Sequence, residues 1–318
     1  MAEVGRLSAS KITTYEGCSL AYYLKYIAHE KVPENIRLAF GKASHYMLNK
    51  FYKVNFKSAE SFANFWKHYW DSVVAGDFLK GKAKDELKVL EFVQPNDFVV
   101  RIGSHLDMGA NPLGSYWGYR KLGANILSQF YQKHKNRQPP LYREKSFGKR
   151  KDDIIKINEH LVTGVFDRID EYQEEFYITD YKTDKASPAS DSFILHRHPQ
   201  FTLYSYVFRE IFKKPEKAIL YYHLREGKRY ETHRSEADYE YLKKLLDEVA
   251  EGITNDRFVP FYGVHCSFCD YKTACEKYAI SHHGGPRIDL EGKIKPAKEF
   301  QEWDAEAPTW IEIMAEER

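Results

Sequence analysis

Apolar residues recur along this chain with two different spacings, one typical of helices and one typical of strands. A short helix is predicted over 11–16, and five longer helices are predicted over 37–53, 58–75, 114–136, 192–212 and 235–254. Six shorter segments are predicted as strands: 141–147, 154–158, 161–170, 175–183, 218–224 and 229–233. Ser8, Ser10 and Ser235 are predicted to cap helices, because a serine oxygen can accept a hydrogen bond from the first N–H groups of a helix. The polar link 171–174 predicts a hairpin.

Composition limits the classes of protein to which this chain can belong. Its 318 residues are 43% hydrophobic, enough for a large core, and its formal net charge is +2. Bulk charge therefore gives no argument for nucleic acid, and any surface that binds it must be local. The first residues lack the apolar core of a secretory signal, and no apolar run approaches the roughly 18 residues of a membrane span. We expect a cytoplasmic protein with reduced cysteines and no membrane partner.

Two aspartates and a lysine fall on neighbouring predicted strands. Side chains alternate along a strand, so Asp180 and Lys182 point to one face of theirs. If the preceding strand pairs with it, Asp167 and Asp180 converge, and two carboxylates repel each other unless a cation joins them. Hard oxygen ligands favour Mg²⁺ or Mn²⁺, and a lysine beside the ion can position a water or stabilise an anionic transition state. For the Asp180–Lys182 pair taken alone, an ordinary salt bridge is the simpler explanation.

Two helical pairs add candidates to this set. Gly41 and His45 are four residues apart and share one face of a predicted helix, as do Gln200 and Tyr204. A glycine one turn before His45 would let another segment approach closely, and His45 could then be a third metal ligand. Gln200 and Tyr204 could bond a phosphate or the lysine. Taken alone, His45 is better explained as a partly buried core histidine.

Taken together and in this order, these residues resemble the PD-(D/E)XK nuclease superfamily, and within it the RecB-like branch. The matching motifs are Gly41-x3-His45, Gly164-x2-Asp167, Asp180-Tyr181-Lys182 and Gln200-x3-Tyr204. The tyrosine-rich opening segment 8–26 also looks like that branch. The resemblance implies an α/β fold, in which a restriction-endonuclease-like central mixed β-sheet is flanked by helices and carries a helical insertion.

The resemblance also implies a role for each matching residue. It predicts a divalent-metal site whose ligands are His45, Asp167, Asp180 and the carbonyl oxygen of Tyr181. Lys182 would orient or activate the attacking water. Gln200 and Tyr204 would support Lys182 or the scissile phosphate. Glu144 lies on the strand before the hairpin, where relatives often carry an acid, and is predicted to make only a hydrogen bond outside the ligand set.

The four cysteines stand towards the two ends of the chain. Cys18 is alone, and the others form the pattern Cys266-x2-Cys269-x5-Cys275. In a reducing compartment, clustered cysteines indicate a metal site before a disulfide. The spacing leaves zinc, an iron–sulfur cluster and free thiols open, although the remote fourth cysteine is unlike a zinc ribbon. The resemblance extends to nucleases of the CRISPR-adaptation and AddB types. It implies a [4Fe–4S] cluster on these four thiolates, joining the N- and C-terminal segments.

The resemblance implies a metal-dependent DNA nuclease, an exonuclease that acts on single-stranded DNA or duplex ends. The alternative is a non-catalytic iron–sulfur subunit that binds nucleic acid or assists assembly in a recombination or CRISPR-type complex. A helicase partner would be a separate polypeptide. Five regions are predicted: an N-terminal helical part (1–53), a mostly helical insertion (54–138), the nuclease core (139–256), the cysteine segment (257–283) and an acidic tail (284–318).

Overall fold

The computed structural model describes residues 3–32, 34–78, 106–107, 112–150, 153–185 and 193–283. The chain divides into two compact units, residues 1–271 and 272–318. Within the described residues, the second unit consists of one helix, Lys272–His283. The acidic tail and residues 79–105 and 108–111 of the predicted insertion lie outside the described residues. Among the helices that are described, none combines the length and the hydropathy needed to cross a membrane.

The N-terminal segment is mostly helical. Helix α1 (Ala9–Gly17) is followed by α2 (Ser19–Tyr22) and a π-helical turn, Tyr23–Ile27. The predicted cap at Ser8 is confirmed, because its Oγ accepts a hydrogen bond from the Lys11 N–H at 3.4 Å. The predicted cap at Ser10 is wrong, since Ser10 already lies inside the first turn of α1.

Three long helices form one layer of the first unit. They are α3 (Ile36–Phe51), α4 (Ala59–Phe78) and α5 (Pro112–His134), and each lies within a few residues of its predicted range. A short parallel bridge joins β1 (Glu34–Asn35) to β2 (Leu106–Asp107). The layer packs around large buried side chains that include Phe40, Trp66 and Trp70. Because these rings fill the space between the helices, α3 has a fixed position against the sheet.

The central sheet is mixed, as predicted. After β3 (Tyr142–Phe147) the chain makes a small hairpin of β4 (Ile155–Ile157) and β5 (His160–Val162). The main sheet continues with β6 (Gly164–Tyr172), β7 (Glu175–Lys182), β8 (Glu216–His223) and β9 (Lys228–Thr232). Its described strands run in the order β3-β6-β7-β8-β9, and only β7 and β8 are parallel neighbours.

The single strand predicted over 161–170 is wrong, because the chain divides it at Thr163. The N-terminal segment causes the division: the Leu7 N–H donates to the Leu161 carbonyl, and the Thr163 N–H donates to the Leu7 carbonyl, both at 2.8 Å. Gly164 then begins β6 directly against the ring of Phe147, in a space that a β-carbon would overlap. The glycine of the predicted Gly164-x2-Asp167 motif therefore has a packing role.

Helices on the opposite face complete the first unit. The helix predicted over 192–212 is in fact two, α6 (Phe193–Arg197) and α7 (Pro199–Phe212). It breaks at His198 because a residue before proline disfavours helical geometry. Helix α8 (Glu236–Thr254) begins at the predicted cap Ser235, whose N–H donates to Asp238 Oδ2 at 2.7 Å. After a 3₁₀ turn (Val264–Phe268), the second unit contributes α9 (Lys272–His283).

Side chains on β7 and β8 alternate between the two faces of the sheet, and each face packs against a different layer of helices. On β7 and β8, Ile178 and Ile219 belong to the core formed with α7 and α8. Tyr181 and Tyr222 belong to the core formed with α3, α4 and α5. The carboxyl end of β7 is therefore covered by α3 on one face and by α7 on the other, and both helices can supply side chains to it.

Candidate active site

Strands β6 and β7 separate where the two aspartates lie. Their described pairing ends at Arg168 and Thr179. Beyond that point the Tyr181 N–H donates to Asp167 Oδ2 at 2.9 Å. A side chain thus satisfies a backbone group that the ladder leaves unpaired. The Asp167 side chain is only 9% exposed, so the bond fixes its carboxylate at the carboxyl end of β7.

His45 reaches the same carboxylate from α3. Its Nδ1 lies 3.2 Å from Asp167 Oδ1, and its Nε2 lies 3.0 Å from the carbonyl oxygen of Tyr181. Burial lowers the pKa of His45, but the charge and hydrogen bond of Asp167, together with the charges of Asp180 and Glu144, outweigh it and raise the pKa to about 9. The same pair lowers the pKa of Asp167, although burial alone would raise it. The structure thus brings together three of the four predicted ligands.

Gly41 has a looser role than the sequence suggested. A β-carbon at Gly41 would lie 3.6 Å from Thr183 Oγ1, which is normal van der Waals contact. The predicted close approach one turn before His45 is therefore wrong, since alanine would fit there. His45 is placed by the packing of α3 and not by a glycine contact.

Glu144 takes a more central position than the sequence predicted. It stands between two paired positions of β3, Arg143 opposite Arg168 and Lys145 opposite Phe166, but makes no such pair itself. Its φ of 47° is in the left-handed region, which costs roughly 1–2 kcal/mol outside glycine. Ligand atoms of His45, Glu144 and Asp167 all lie within 4.8 Å of one another. Burial and the charge of Asp167 raise the pKa of Glu144 to about 6.

Asp180 and Lys182 form a second group beside the first. Lys182 Nζ lies 2.8 Å from Asp180 Oδ2 and donates to Gln200 Oε1 at 2.9 Å. Gln200 Nε2 donates to Asp180 Oδ1 at 2.7 Å and to the Tyr204 hydroxyl at 3.0 Å. Gln200 and Tyr204 therefore lie on the lysine side of the site, and Gln200 fixes both charged partners. Tyr204 acts through Gln200, and its pKa is raised by burial.

Burial and mutual repulsion indicate that these acids need a cation. Burial raises the pKa of Asp180 to about 6 despite the nearby Lys182, and Asp167 adds to the rise. The carboxylate and carbonyl oxygens suit Mg²⁺ or Mn²⁺, and the imidazole favours the softer of these two ions, Mn²⁺. The residues present therefore fit a divalent ion. The three side chains that cluster are His45, Glu144 and Asp167, whereas Asp180 is held by Lys182 and Gln200, which differs from the predicted ligand set.

Two further polar side chains adjoin the site and were missed in the sequence. Asn49 lines a small cavity with Glu144 and Asp167, and its Oδ1 is buried with no hydrogen-bond partner among the described residues. It is four residues after His45, so helical spacing could have identified it. His198 accepts a hydrogen bond from the Gln200 N–H at 3.2 Å, and burial and the charge of Lys182 lower its pKa to about 4.

The cysteines of the first unit are surrounded by backbone N–H groups. N–H groups donate to the Sγ atoms of Cys18, Cys266 and Cys269 at 3.5, 3.4 and 3.4 Å. Burial raises the pKa of the Cys269 thiol, and the charges of Cys18 and Cys266 add to the rise. None of the four cysteines is in a disulfide. Cys275 lies on α9 in the second unit, so its part in a cluster stays a prediction.

Comparison with known proteins gives the family of the chain. The family model described as the PD-(D/E)XK nuclease superfamily matches residues 6–276. This chain belongs to the PD-(D/E)XK nuclease superfamily. Nucleases of the superfamily use divalent metals, and membership implies a DNA substrate. No curated protein matches the chain. Among solved structures, "Crystal structure of SSO0001" is 16% identical, with a TM-score of 0.34 over 64% of this chain and 97% of that one.

Proposed function

We propose that the chain is a Mg²⁺- or Mn²⁺-dependent DNA exonuclease that acts on single strands or duplex ends. One observation carries the proposal: a fixed lysine, Lys182 at the carboxyl end of β7, lies within electrostatic reach of Asp167, which belongs to a metal-type cluster with His45 and Glu144. That combination supplies both charge neutralisation and a positioned donor, as phosphodiester hydrolysis requires. Family membership supports the nuclease activity.

The chain's own residues hold and orient the reactants. A bound divalent ion would neutralise charge on the scissile phosphate and lower the pKa of a bound water. His45, Asp167 and the Tyr181 carbonyl would hold that ion, together with Glu144 or Asp180. Burial lowers the pKa of Lys182, but Asp180, Asp167 and Asp184 together raise it, so Lys182 keeps its proton. Its ammonium group therefore orients the attacking water or binds a phosphate oxygen, and does not act as a base.

The exonuclease mode rests on the resemblance to the RecB-like branch and is tested by substrate topology. End-labelled single- and double-stranded DNA would be digested in linear and circular forms, with Mg²⁺, with Mn²⁺ and with EDTA. We expect metal-dependent loss of linear DNA, no cleavage in EDTA, and intact circles. Cleavage of circular single strands at a comparable rate would show an endonuclease.

A second candidate is a non-catalytic nucleic-acid-binding or assembly subunit of a recombination or CRISPR-type complex. Cys18 and Cys266 lie close to each other, which favours a structural cluster. Both the nuclease and the non-catalytic subunit could carry such a cluster. The intact set of Asp167, Asp180 and Lys182, with its bonds in place, favours the enzyme. Tight binding of DNA without cleavage under any metal condition would support the second candidate. A helicase partner is likewise a proposal, and co-purification tests it.

The four cysteines are proposed to hold a [4Fe–4S] cluster. N–H groups aimed at three of the sulfur atoms support thiolate ligation, because such hydrogen bonds stabilise the negative sulfur. Broad absorption near roughly 400 nm, with about four iron and four sulfide per chain, is the expected result. One zinc ion per chain in a colourless protein would contradict it.

A further inference from the structure

An aromatic and basic stripe runs along α3 beside the candidate active site. Tyr46 follows His45 directly, and Lys42 and Lys50 lie four residues before and after it, on neighbouring positions of one helix face. Tyr46 is 38% exposed. The helix contains no aspartate or glutamate. The exposed face next to His45 is therefore both basic and aromatic.

The ring of Tyr46 is held in a fixed orientation. It stacks on the ring of Tyr69 from α4, with centroids 4.3 Å apart and planes 10° from parallel. Tyr69 in turn packs against the core of the helical layer. Lys50 Nζ lies over the Tyr46 ring, 5.1 Å from its centroid. Because the lysine side chain is flexible, it can move off the ring to pair with a phosphate and leave a rigid face on which a base can stack.

Basic groups continue from this stripe to the acid cluster. Lys53 follows the end of α3, and Lys149 follows β3. His45, the residue before Tyr46 on α3, lies 3.2 Å from Asp167 Oδ1, so the stripe borders the acid cluster directly. A polyanion that follows the lysines of α3 would thus arrive at Glu144 and Asp167.

We infer that the stripe of Lys42, Tyr46 and Lys50 guides a single DNA strand into the active site, with one base stacked on Tyr46. The inference rests on the proposed function and specifies its substrate. Bases inside a duplex already stack on their neighbours and cannot stack on a ring at a helix surface. Unpaired bases can, because every base offers a flat face. The substrate at this surface is therefore a single strand, or the frayed end of a duplex.

Binding measurements test the stripe without relying on cleavage. Full-length protein would be titrated with a fluorescent thymidine 20-mer and with a blunt duplex of equal length, in EDTA. We expect Tyr46→Ala to raise the Kd for the single strand by about 5- to 150-fold, which corresponds to ~1–3 kcal/mol of stacking. Tyr46→Phe keeps the ring and should stay within about twofold of the parent. The matched control is Trp117→Ala, which removes a 48% exposed aromatic ring from α5.

A second variant tests the cations of the stripe. Lys50→Ala should reduce the slope of log K against log salt for the single strand by about 0.7, the value for one phosphate contact. Lys244→Ala, an exposed lysine on α8, should leave it unchanged. An unchanged single-strand Kd in Tyr46→Ala, or an equal loss on the duplex, overturns the inference. If single-stranded DNA binds through Tyr46 but no DNA is cleaved, the proposed function is wrong, whereas the inference that the stripe binds a single strand still holds.

Discussion

At the scale of single residues, a network of ion pairs and hydrogen bonds holds the side chains of the site in place. Lys182 is held by Asp180 and Gln200, and Gln200 is itself oriented by Tyr204. Such a network places the ammonium group with little freedom to rotate, which favours catalysis because no reorganisation is needed at the moment of reaction. The residue that sequence reasoning undervalued, Glu144, owes its position to a left-handed backbone that no spacing rule reveals.

The role of Lys182 can be separated from that of lysines elsewhere on the sheet. Lys182→Ala should lower the rate of DNA cleavage by about 10²-fold or more, because the donor to the water or the phosphate is lost. The matched control is Lys217→Ala, whose ammonium pairs with Glu175 at 2.8 Å at the other end of β7. That variant should cleave normally. Cleavage by Lys182→Ala within about tenfold of the parent would falsify the assignment.

The buried His134 should make the free energy of unfolding depend on pH. It is 2% exposed, and burial and then the charges of Arg168, Arg137, Arg229 and Lys133 lower its pKa to about 2. The unfolded chain takes up a proton below pH ~6.5, whereas the folded chain does not, so stability falls as pH falls through that value. This residue alone should remove about 1.4 kcal/mol between pH 7.5 and 5.5.

Urea unfolding at these two pH values checks the prediction for His134. His134→Phe keeps a flat ring against Phe130 and removes the titrating group, so its stability should fall less on acidification. His68→Phe, a change at an exposed histidine of α4, should behave like the parent. If the parent and His134→Phe lose equal stability over this range, His134 is not buried in its neutral form.

At the scale of elements, sequence reasoning succeeded where the cause was local. The capping serine of α8 and the long helices followed from neighbouring residues alone, and the break before Pro199 could have been predicted in the same way. The division of the strand at Thr163 could not, because Leu7 imposes it from a distant part of the chain. Pairing of β6 with β7 was predictable, but their separation at Asp167 was not, since it depends on a side chain that replaces a backbone partner.

Two glycines in α5 should respond in opposite ways to alanine. A β-carbon at Gly123 would overlap the indole ring of Trp66, whereas one at Gly118 would meet nothing within 4 Å. Gly123→Ala should therefore cost ~1–3 kcal/mol through overpacking. Gly118→Ala should gain roughly 0.5–1 kcal/mol, because alanine favours a helix over glycine. Urea denaturation of both variants measures this, and a similar effect at the two sites would contradict the packing of α4 against α5.

At the scale of the whole molecule, distant parts of the sequence meet beside Cys18. The Tyr15 hydroxyl donates to the Arg257 carbonyl at 2.9 Å. The Ser19 hydroxyl donates to the Val259 carbonyl at 3.0 Å and accepts from the Val259 N–H at 2.8 Å. These bonds join the N-terminal helices to the segment that leads into the cysteine pattern. They bring Cys18 beside the segment that carries Cys266, since both sulfur atoms bond to the backbone of Phe261.

Two variants distinguish the effect of the proposed cluster on stability from the effect of the Ser19–Val259 hydrogen bonds. Cys18→Ala is expected to lose most of its iron and to melt at a lower temperature, because the predicted cluster lacks a ligand. Ser19→Ala removes only the hydroxyl beside it. That variant should keep its iron and lose about 1 kcal/mol of stability. Iron and sulfide assays, together with thermal melting of both variants, measure these effects. A Cys18→Ala protein with full iron content and an unchanged melt would identify an ordinary thiol.

The bonds of Ser19 to Val259 also set an order of events during synthesis. Their partners are 240 residues apart in the chain. At ~5–20 residues per second, a ribosome needs about 12–48 s after making Ser19 before Val259 exists. Throughout that time the nascent chain presents Cys18 as a single thiol, with none of the other three cysteines yet made. Delivery of the proposed four-thiolate cluster would therefore be a late step, because the N-terminal helices lack their Val259 partner until then.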